Sequence, residues 1–176
     1  MTDIGAASFR FEPFSPLHDK IAFRCGQTNL DAYFQRQARQ DVSRNLARVY
    51  VLTRDGKNVD GFYTLSAASI DPGSLPADAA RRLPSIAIPA TLLGRMAVAK
   101  PMQGLGLGNF VLMSALRMAW EGSRVIGSWA VVVDAKESAH NFYLKYEFQP
   151  LPDRPLRLFL TMSRFAQLLS GLSIAE

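Results

Sequence analysis

The chain predicts a mixed α/β domain with a central, mostly antiparallel sheet flanked by helices. Two observations carry this expectation. First, the β-rich runs Val49 to Thr53 and Val59 to Ile70 flank the turn-forming tetrapeptide Asp55-Gly56-Lys57-Asn58, which makes an antiparallel hairpin. Second, an apolar strand-like run, Leu92 to Val98, passes through Gln103-Gly104-Leu105-Gly106-Leu107-Gly108 into a helical run and then a second apolar strand, Ser128 to Val133. A strand–helix–strand unit allows its two strands to lie parallel. A sheet with both kinds of neighbour needs helices over it to bury its apolar faces.

Taken in order, residues 9 to 14 predict a short first strand. Thr28 or Asn29 is placed to cap a helix reaching about Gln40. Leu30, Tyr33, Phe34, Ala38 and Asp41 follow the i, i+3, i+4 spacing, with arginines on the other face. A short second helix extends to Leu46, and the hairpin follows. Asp71 to Ala90, with five prolines or glycines, reads as a long loop holding a helical turn at Ala77 to Leu83. After the glycine loop, Asn109 to Trp120 predicts a helix with Leu112, Ala115, Leu116 and Ala119 on one face. Gly122 and Gly127 bracket the link to the strand at Ser128. Lys136 to Tyr146 predicts a helix, Leu156 to Met162 a last strand, and a short amphipathic helix ends the chain. With no repeat, low-complexity tract or linker, residues 1–176 read as a single domain.

At this length a chain hides roughly 70 % of its unfolded surface, enough for a core without disulfides or metal. The single cysteine, Cys25, cannot form an intrachain disulfide, and no cluster of metal-ligand residues is spaced for metal binding. No run approaches a membrane span, and Met1 to Arg10 lacks the basic-then-apolar pattern of an export signal. These features predict a cytoplasmic protein. The net charge of +5 and pI of about 9.7 point to an anionic partner. Six arginines between Arg24 and Arg54 face only Asp31 and Asp41, and six basic residues from Arg81 to Arg124 face only Glu121.

The glycine loop is the strongest chemical signal. Three glycines at alternate positions remove the Cβ atoms that keep a ligand off the backbone. Ending the loop on a helix N-terminus aims unpaired N–H groups and the positive end of the helix dipole at whatever binds there, a seat for phosphate or pyrophosphate. The G-x-G-x-G order, past mid-chain, does not fit a dinucleotide-binding strand–turn–helix. The lack of Lys-Ser/Thr after Gly108 excludes a nucleoside triphosphate loop.

Gln-x-x-Gly-x-Gly, Gln103 to Gly108, resembles motif A of the GNAT acyl-CoA N-acyltransferases. The strand Leu92-Leu93-Gly94-Arg95-Met96-Ala97-Val98, the ending Val133-Asp134-Ala135, and Ala139-x-x-Phe142-Tyr143 followed by Phe148 extend the resemblance over most of the chain. It implies a GNAT fold with a splayed pair of strands, about 91–98 and 128–134. The pantetheine arm of acetyl-CoA would lie in the gap, against the backbone of Met96, Ala97 and Val98. The pyrophosphate would sit on the amides of Gln103, Gly104, Leu105, Gly106, Leu107, Gly108 and Asn109, with Phe142 also at the cofactor. Glu147 departs from the family's usual glycine and implies a different or strained helix end.

Acyl transfer from a thioester to an amine needs a neutral amine, oxyanion stabilisation and a proton for the departing thiolate. The resemblance makes Tyr143 the general acid and a backbone N–H near Val98 the oxyanion donor. Tyr146 is a rival that the periodicity turns toward the core. His140 shares the Tyr143 helix, His18 lies in a polar turn, and Cys25 reads as a buried thiol. No carboxylate stands in Leu92 to Val98, where many small-amine members of the family place a base. An α-amine, with a pKa of about 7.7–8.0, supplies more neutral form than a lysine at about 10.4, so this absence favours an α-amine acceptor.

Within the family, Arg81-Arg82-Leu83-Pro84, Ile88-Pro89, Leu93 to Val98, Asp134-Ala135-Lys136, Leu30-Asp31-Ala32-Tyr33-Phe34 and Gly61-Phe62-Tyr63-Thr64-Leu65 resemble the toxin branch of bacterial toxin–antitoxin pairs. That resemblance implies acetylation of the α-amine of aminoacyl-tRNA, arrest of translation, a ribbon-helix-helix antitoxin and a homodimer. Arg81, Arg82 and Arg95 are the candidate substrate-binding residues, with Arg36, Arg39, Arg44 and Arg48 as further phosphate contacts. The alternative acceptors are a small amine, an antibiotic or a protein amine.

Overall fold

The computed structural model describes residues 8–173. In chain order it contains β1 (Arg10–Pro13), α1 (Thr28–Ala32), a π turn (Tyr33–Gln37), α2 (Ala38–Ser43), β2 (Arg48–Thr53), β3 (Gly61–Ile70), α3 (Ala77–Ala80), β4 (Ile88–Val98), α4 (Leu107–Ser123), β5 (Ala130–Asp134), α5 (His140–Leu144), β6 (Gln149–Leu151), β7 (Arg154–Thr161) and α6 (Met162–Ser173). The strands are hydrogen-bonded in the order β1-β2-β3-β4-β5-β7-β6. The β4–β5 ladder is parallel, whereas β1–β2, β2–β3, β5–β7 and β6–β7 are antiparallel. This is the mixed, mostly antiparallel sheet expected from the sequence. Among the described residues, no helix is long and apolar enough to cross a membrane.

Residues up to Leu65 together with Arg95–Ala115 make one compact unit. Its centre is aromatic. Phe34 stacks on Phe62 with ring centroids 4.6 Å apart, Phe23 meets Phe62 edge-on, and Phe14 packs on Phe34. The helical residues Tyr33, Phe34, Ala38 and Asp41 are buried, as their spacing predicts. The helix differs from expectation in two ways. Neither Thr28 nor Asn29 caps it: both lie inside its first turn, and Gln27 holds the cap position without a side-chain bond. Asp31 instead reaches back, its carboxylate accepting from the Cys25 amide at 2.7 Å. There is also no separate second helix, since α1, the π turn and α2 run on without a break to Ser43. Cys25 is buried, and burial pushes its thiol up to about 11.

The hairpin turn is fixed by one side chain. Asp55 Oδ1 accepts from the Lys57 and Asn58 amides at 2.9 and 2.8 Å, which holds its carboxyl well below the usual range. Gly56 supplies the positive φ the turn requires. Arg54 grips the buried Asp60 through two parallel bonds, 2.8 and 2.9 Å, the bidentate geometry suited to a carboxylate. At the start of β3, a Cβ on Gly61 would lie 3.0 Å from the Ala97 carbonyl oxygen and 3.3 Å from Val111. Glycine is therefore required there by close backbone approach.

Ser66–Gly94 and the residues from Leu116 onward make the second unit. Ile70, Leu75, Ala90, Ala130, Val132, Leu151 and Phe159 form its core cluster. Val131, Val132 and Val133 are all buried, as in a strand covered on both faces. β6 is an element that the sequence pattern does not predict. Gln149-Pro150-Leu151 is three residues long with a proline at its centre, a composition tolerated at a sheet edge. The helix expected over Lys136 to Tyr146 is shorter: a 3-10 turn, Glu137–Ala139, precedes α5.

Glu147 lies past the end of α5 with φ of 66°. It adopts the left-handed conformation that glycine takes at such ends, with its carboxylate paired to Arg164. Glu147→Gly removes a backbone penalty of about 1–2 kcal/mol at the loss of an exposed ion pair. A thermal melt is expected to show a Tm a few degrees higher; a lower Tm shows that the Arg164 contact outweighs the strain.

Candidate functional site

The glycine loop keeps its sequence-predicted form with one shift: α4 begins at Leu107, so Gly108 lies in its first turn. Gly104 and Gly106 both have φ of 79°, a left-handed conformation that other residues adopt only under strain. A Cβ at Gly104, Gly106 or Gly108 would meet nothing within 4 Å. Glycine at 104 and 106 is therefore demanded by backbone conformation rather than by crowding.

The loop is pinned at both ends by buried apolar side chains, Met102 and Leu107, while the residues from Gln103 to Gly106 are exposed. Among the described residues, no carbonyl or side chain accepts from the amides of Gly104, Leu105 and Gly106. Those of Leu107, Gly108 and Asn109 open the first turn of α4, where helix geometry leaves N–H groups without intrahelical partners. Six consecutive donors are thus available at the positive end of a 17-residue helix. Gln103 has a different role from its neighbours. Its amide donates to the Lys100 carbonyl at 3.3 Å. Its side-chain Nε2 donates to the carbonyls of Cys25 and Val98 at 2.7 and 2.9 Å. It ties the loop to its supports.

β4 runs past its parallel partner. The ladder with β5 covers Ala90↔Ala130 to Leu93↔Val133, whereas β4 continues through Arg95, Met96 and Ala97 to Val98. Ala97 is buried, and Met96 and Val98 are half-buried. A cavity of about 570 Å³ also opens in the first unit, lined by Arg24, Arg54, Asp60, Lys100, Pro101 and Met102 among others. It borders the glycine loop without including it. Its Arg54–Asp60 pair is already satisfied, so the donor set of the loop, rather than this cavity, is the better seat for an anion.

Tyr143 is the most buried residue of α5, 7 % exposed, packed edge-on against Phe142 and Phe148. Burial pushes its phenol up to about 12. Its hydroxyl makes no hydrogen bond among the described residues, yet no buried side-chain oxygen there is left unpaired, so the hydroxyl keeps a path to solvent. Tyr146, expected to face the core, is only half-buried, because α5 ends at Leu144 and Tyr146 stands in the turn beyond. Phe142 is half-buried between the two tyrosine rings. His140 points its Nε2 at the Pro155 carbonyl, 3.1 Å away, which makes that nitrogen a donor and leaves it no base function. His18 lies in a turn, its amide donating to the Ser15 carbonyl, and its ring is buried with Nε2 2.8 Å from Glu12.

Arg81 and Arg82 are exposed just after α3, and Arg36, Arg39, Arg44 and Arg48 are exposed on or just after the first helical segment. None of these six makes an ion pair with a carboxylate of the described residues. Arg95 is half-buried, with its guanidinium carbon 3.8 Å from the centre of the Tyr33 ring. The Tyr33 hydroxyl donates to Asp41 Oδ2 at 3.0 Å. This group escaped the sequence reading. Its one signal was an aspartate at a helix position that the apolar spacing assigns to the core.

The chain matches no protein-family profile. It is 34 % identical over 149 residues to a tRNA-acetylating toxin of Mycobacterium tuberculosis (strain ATCC 25618 / H37Rv), covering 84 % of this chain and 89 % of that protein. It is 33 % identical over 180 residues to a probable toxin TacT of Sinorhizobium fredii (strain NBRC 101917 / NGR234), covering 96 % and 99 %. Its fold matches AtaT complexed with acetyl-methionyl-tRNAfMet with a TM-score of 0.85 at 26 % identity, covering 92 % of this chain and 99 % of that one. A tyrosine-to-phenylalanine AtaT mutant toxin, bound to the C-terminus of the antitoxin AtaR and acetyl-CoA, matches with a TM-score of 0.78 at 25 % identity, covering 92 % and 98 %. With its fold and these two relatives in agreement, the chain belongs to the tRNA-acetylating GNAT toxins of toxin–antitoxin systems.

Proposed function

We propose that residues 1–176 act as a single acetyltransferase domain that uses acetyl-CoA to acetylate the α-amine of aminoacyl-tRNA, and so block translation in the cytoplasm. The observation that carries the donor is the run of six unpartnered amides from Gly104 to Asn109 on a long helix, which fits a pyrophosphate. The acceptor is supported by family membership and by exposed arginines that pair with no carboxylate of the described residues, which suit an RNA backbone. An antitoxin is the expected partner, here proposed to be of the ribbon-helix-helix type, with the toxin a homodimer.

Acetyl-CoA supplies an activated acetyl thioester. In this reading the amides of Gly104 to Asn109 hold its pyrophosphate, Gln103 keeps that loop in place, and the backbone of Met96 to Val98 aligns its pantetheine arm. Tyr143 donates its phenolic proton to the departing thiolate. Its raised pKa keeps that proton in place at any physiological pH, and its hydroxyl has no competing acceptor among the described residues. As the amine nitrogen bonds to the acyl carbon, the carbon–sulfur bond breaks. The amine's surplus proton leaves to solvent, and the phenolate takes a proton back from solvent, which restores the phenol.

Mass spectrometry of total charged tRNA incubated with labelled acetyl-CoA is expected to find the label on tRNA-bound amino acid. Tyr143→Phe lowers kcat by about 100-fold or more, with acetyl-CoA Kd unchanged to within about threefold. The proposal is abandoned if charged tRNA stays unlabelled while small amines or protein N-termini take the label. The pH profile has a defined sign. Rate rises as the acceptor amine deprotonates, near about pH 8, and stays level to about pH 10 because the acid is still protonated. A fall between about pH 8 and 9 assigns the proton to a group other than Tyr143.

A further inference from the structure

Arg95 is held unusually for a half-buried arginine. Its side chain makes no hydrogen bond and no ion pair among the described residues; the partner of its guanidinium is the face of Tyr33, 3.8 Å away. A guanidinium lying on a ring uses its flat face and leaves its five N–H donors around the edge. Leaving those donors unpaired in a partly dehydrated place is unfavourable unless something arrives to accept from them. The planar fork is matched to phosphate.

The rest of the structure fixes the ring on which Arg95 lies. Tyr33 is 5 % exposed and Asp41 9 %, and the tyrosine hydroxyl donates to the carboxylate. No cation pairs directly with Asp41 among the described residues. Its negative charge acts through the hydrogen bond, enriching the ring and strengthening its hold on the cation. The helix geometry is adapted to this contact. In an unbroken α-helix, residues eight apart differ by about 80° in direction; absorbing one residue in a π turn cuts this to about 20°. The π turn Tyr33–Gln37 therefore brings Asp41 onto the tyrosine's own face. On the strand side, the Arg95 amide donates to Thr64 Oγ1 at 3.0 Å.

We propose that Asp41 and Tyr33 are positioning residues that present the N–H edge of Arg95 to a backbone phosphate of the acceptor tRNA. This rests on the proposed function and adds to it the device that orients the arginine. A phosphate on coenzyme A offers the same chemistry, so the test separates the two sources.

Steady-state kinetics with charged tRNA and acetyl-CoA varied in turn are to be combined with tRNA binding by fluorescence anisotropy over a range of salt. Arg95→Lys keeps the charge but not the plane; it is expected to raise KM for charged tRNA about tenfold with KM for acetyl-CoA unchanged. Arg95→Met is expected to reduce the slope of log Kd against log salt by about 1. Tyr33→Phe, which keeps the ring, weakens tRNA binding less than Tyr33→Leu, which removes it. Thermal melts confirm that each variant is folded. The inference is overturned if Arg95→Met leaves tRNA affinity and salt slope unchanged. It is equally overturned if the KM for acetyl-CoA rises instead, which assigns Arg95 to the coenzyme. Because anisotropy needs no turnover, a wild-type protein that binds tRNA but transfers nothing to it refutes the proposed function while still testing the arginine.

Discussion

The structure depends most on a backbone constraint at the glycine loop. Gly104 and Gly106 each sit in the left-handed region, and this turns consecutive N–H groups outward instead of toward carbonyls of the same chain. Water satisfies those groups when nothing else is bound, so the loop is not costly in isolation. It is, however, ready for an anion, with its geometry set before binding. The supports on either side serve this end. Met102 and Leu107 bury their side chains, and Gln103 bridges to two carbonyls that belong to different segments, at Cys25 and Val98. A loop this rich in glycine would otherwise be mobile, and the entropy of ordering it would weaken any ligand's affinity.

A second theme is the allocation of positive charge. Some arginines are used internally, as when Arg54 grips Asp60 and Arg157 meets Asp134. Others, including Arg36, Arg39, Arg44, Arg48, Arg81 and Arg82, stand exposed and pair with no carboxylate of the described residues. Arg95 belongs to neither class, being anchored by a ring while its guanidinium donors meet no acceptor among the described residues. Exposed unpaired cations supply long-range attraction that salt weakens. A cation with a fixed plane supplies direction. An enzyme that has to bring one end of a large polyanion to a small reactive group needs both.

Much of this was legible in the sequence because it is local. The hairpin follows from Asp55 and Gly56, the buried strand from Val131 to Val133, and the loop that opens α4 from three glycines before a helical run. Glu147 was legible as a departure from a glycine, and its φ of 66° is the strain that departure implies. What was not legible depends on partners distant in sequence or on a change of helical phase. The Gln103 side chain reaches Cys25, 78 residues away. Asp41 meets Tyr33 only because a π turn intervenes, and periodicity at a constant 3.6 residues cannot show that. β6 was missed because three residues with a central proline carry no alternation to read. Tyr146, turned toward the core by its spacing, is only half-buried because α5 ends at Leu144, two residues short of it.

The central claim is that the amides from Gly104 to Asn109 are the seat of the donor's pyrophosphate. The most direct measurement is a titration of isotope-labelled protein with coenzyme A, followed through its backbone amide NMR signals. The largest shifts are expected on Gly104, Leu105, Gly106, Leu107, Gly108 and Asn109, and Gly106→Ala is expected to abolish them together with binding. Saturable binding of coenzyme A with these six signals unmoved would contradict it.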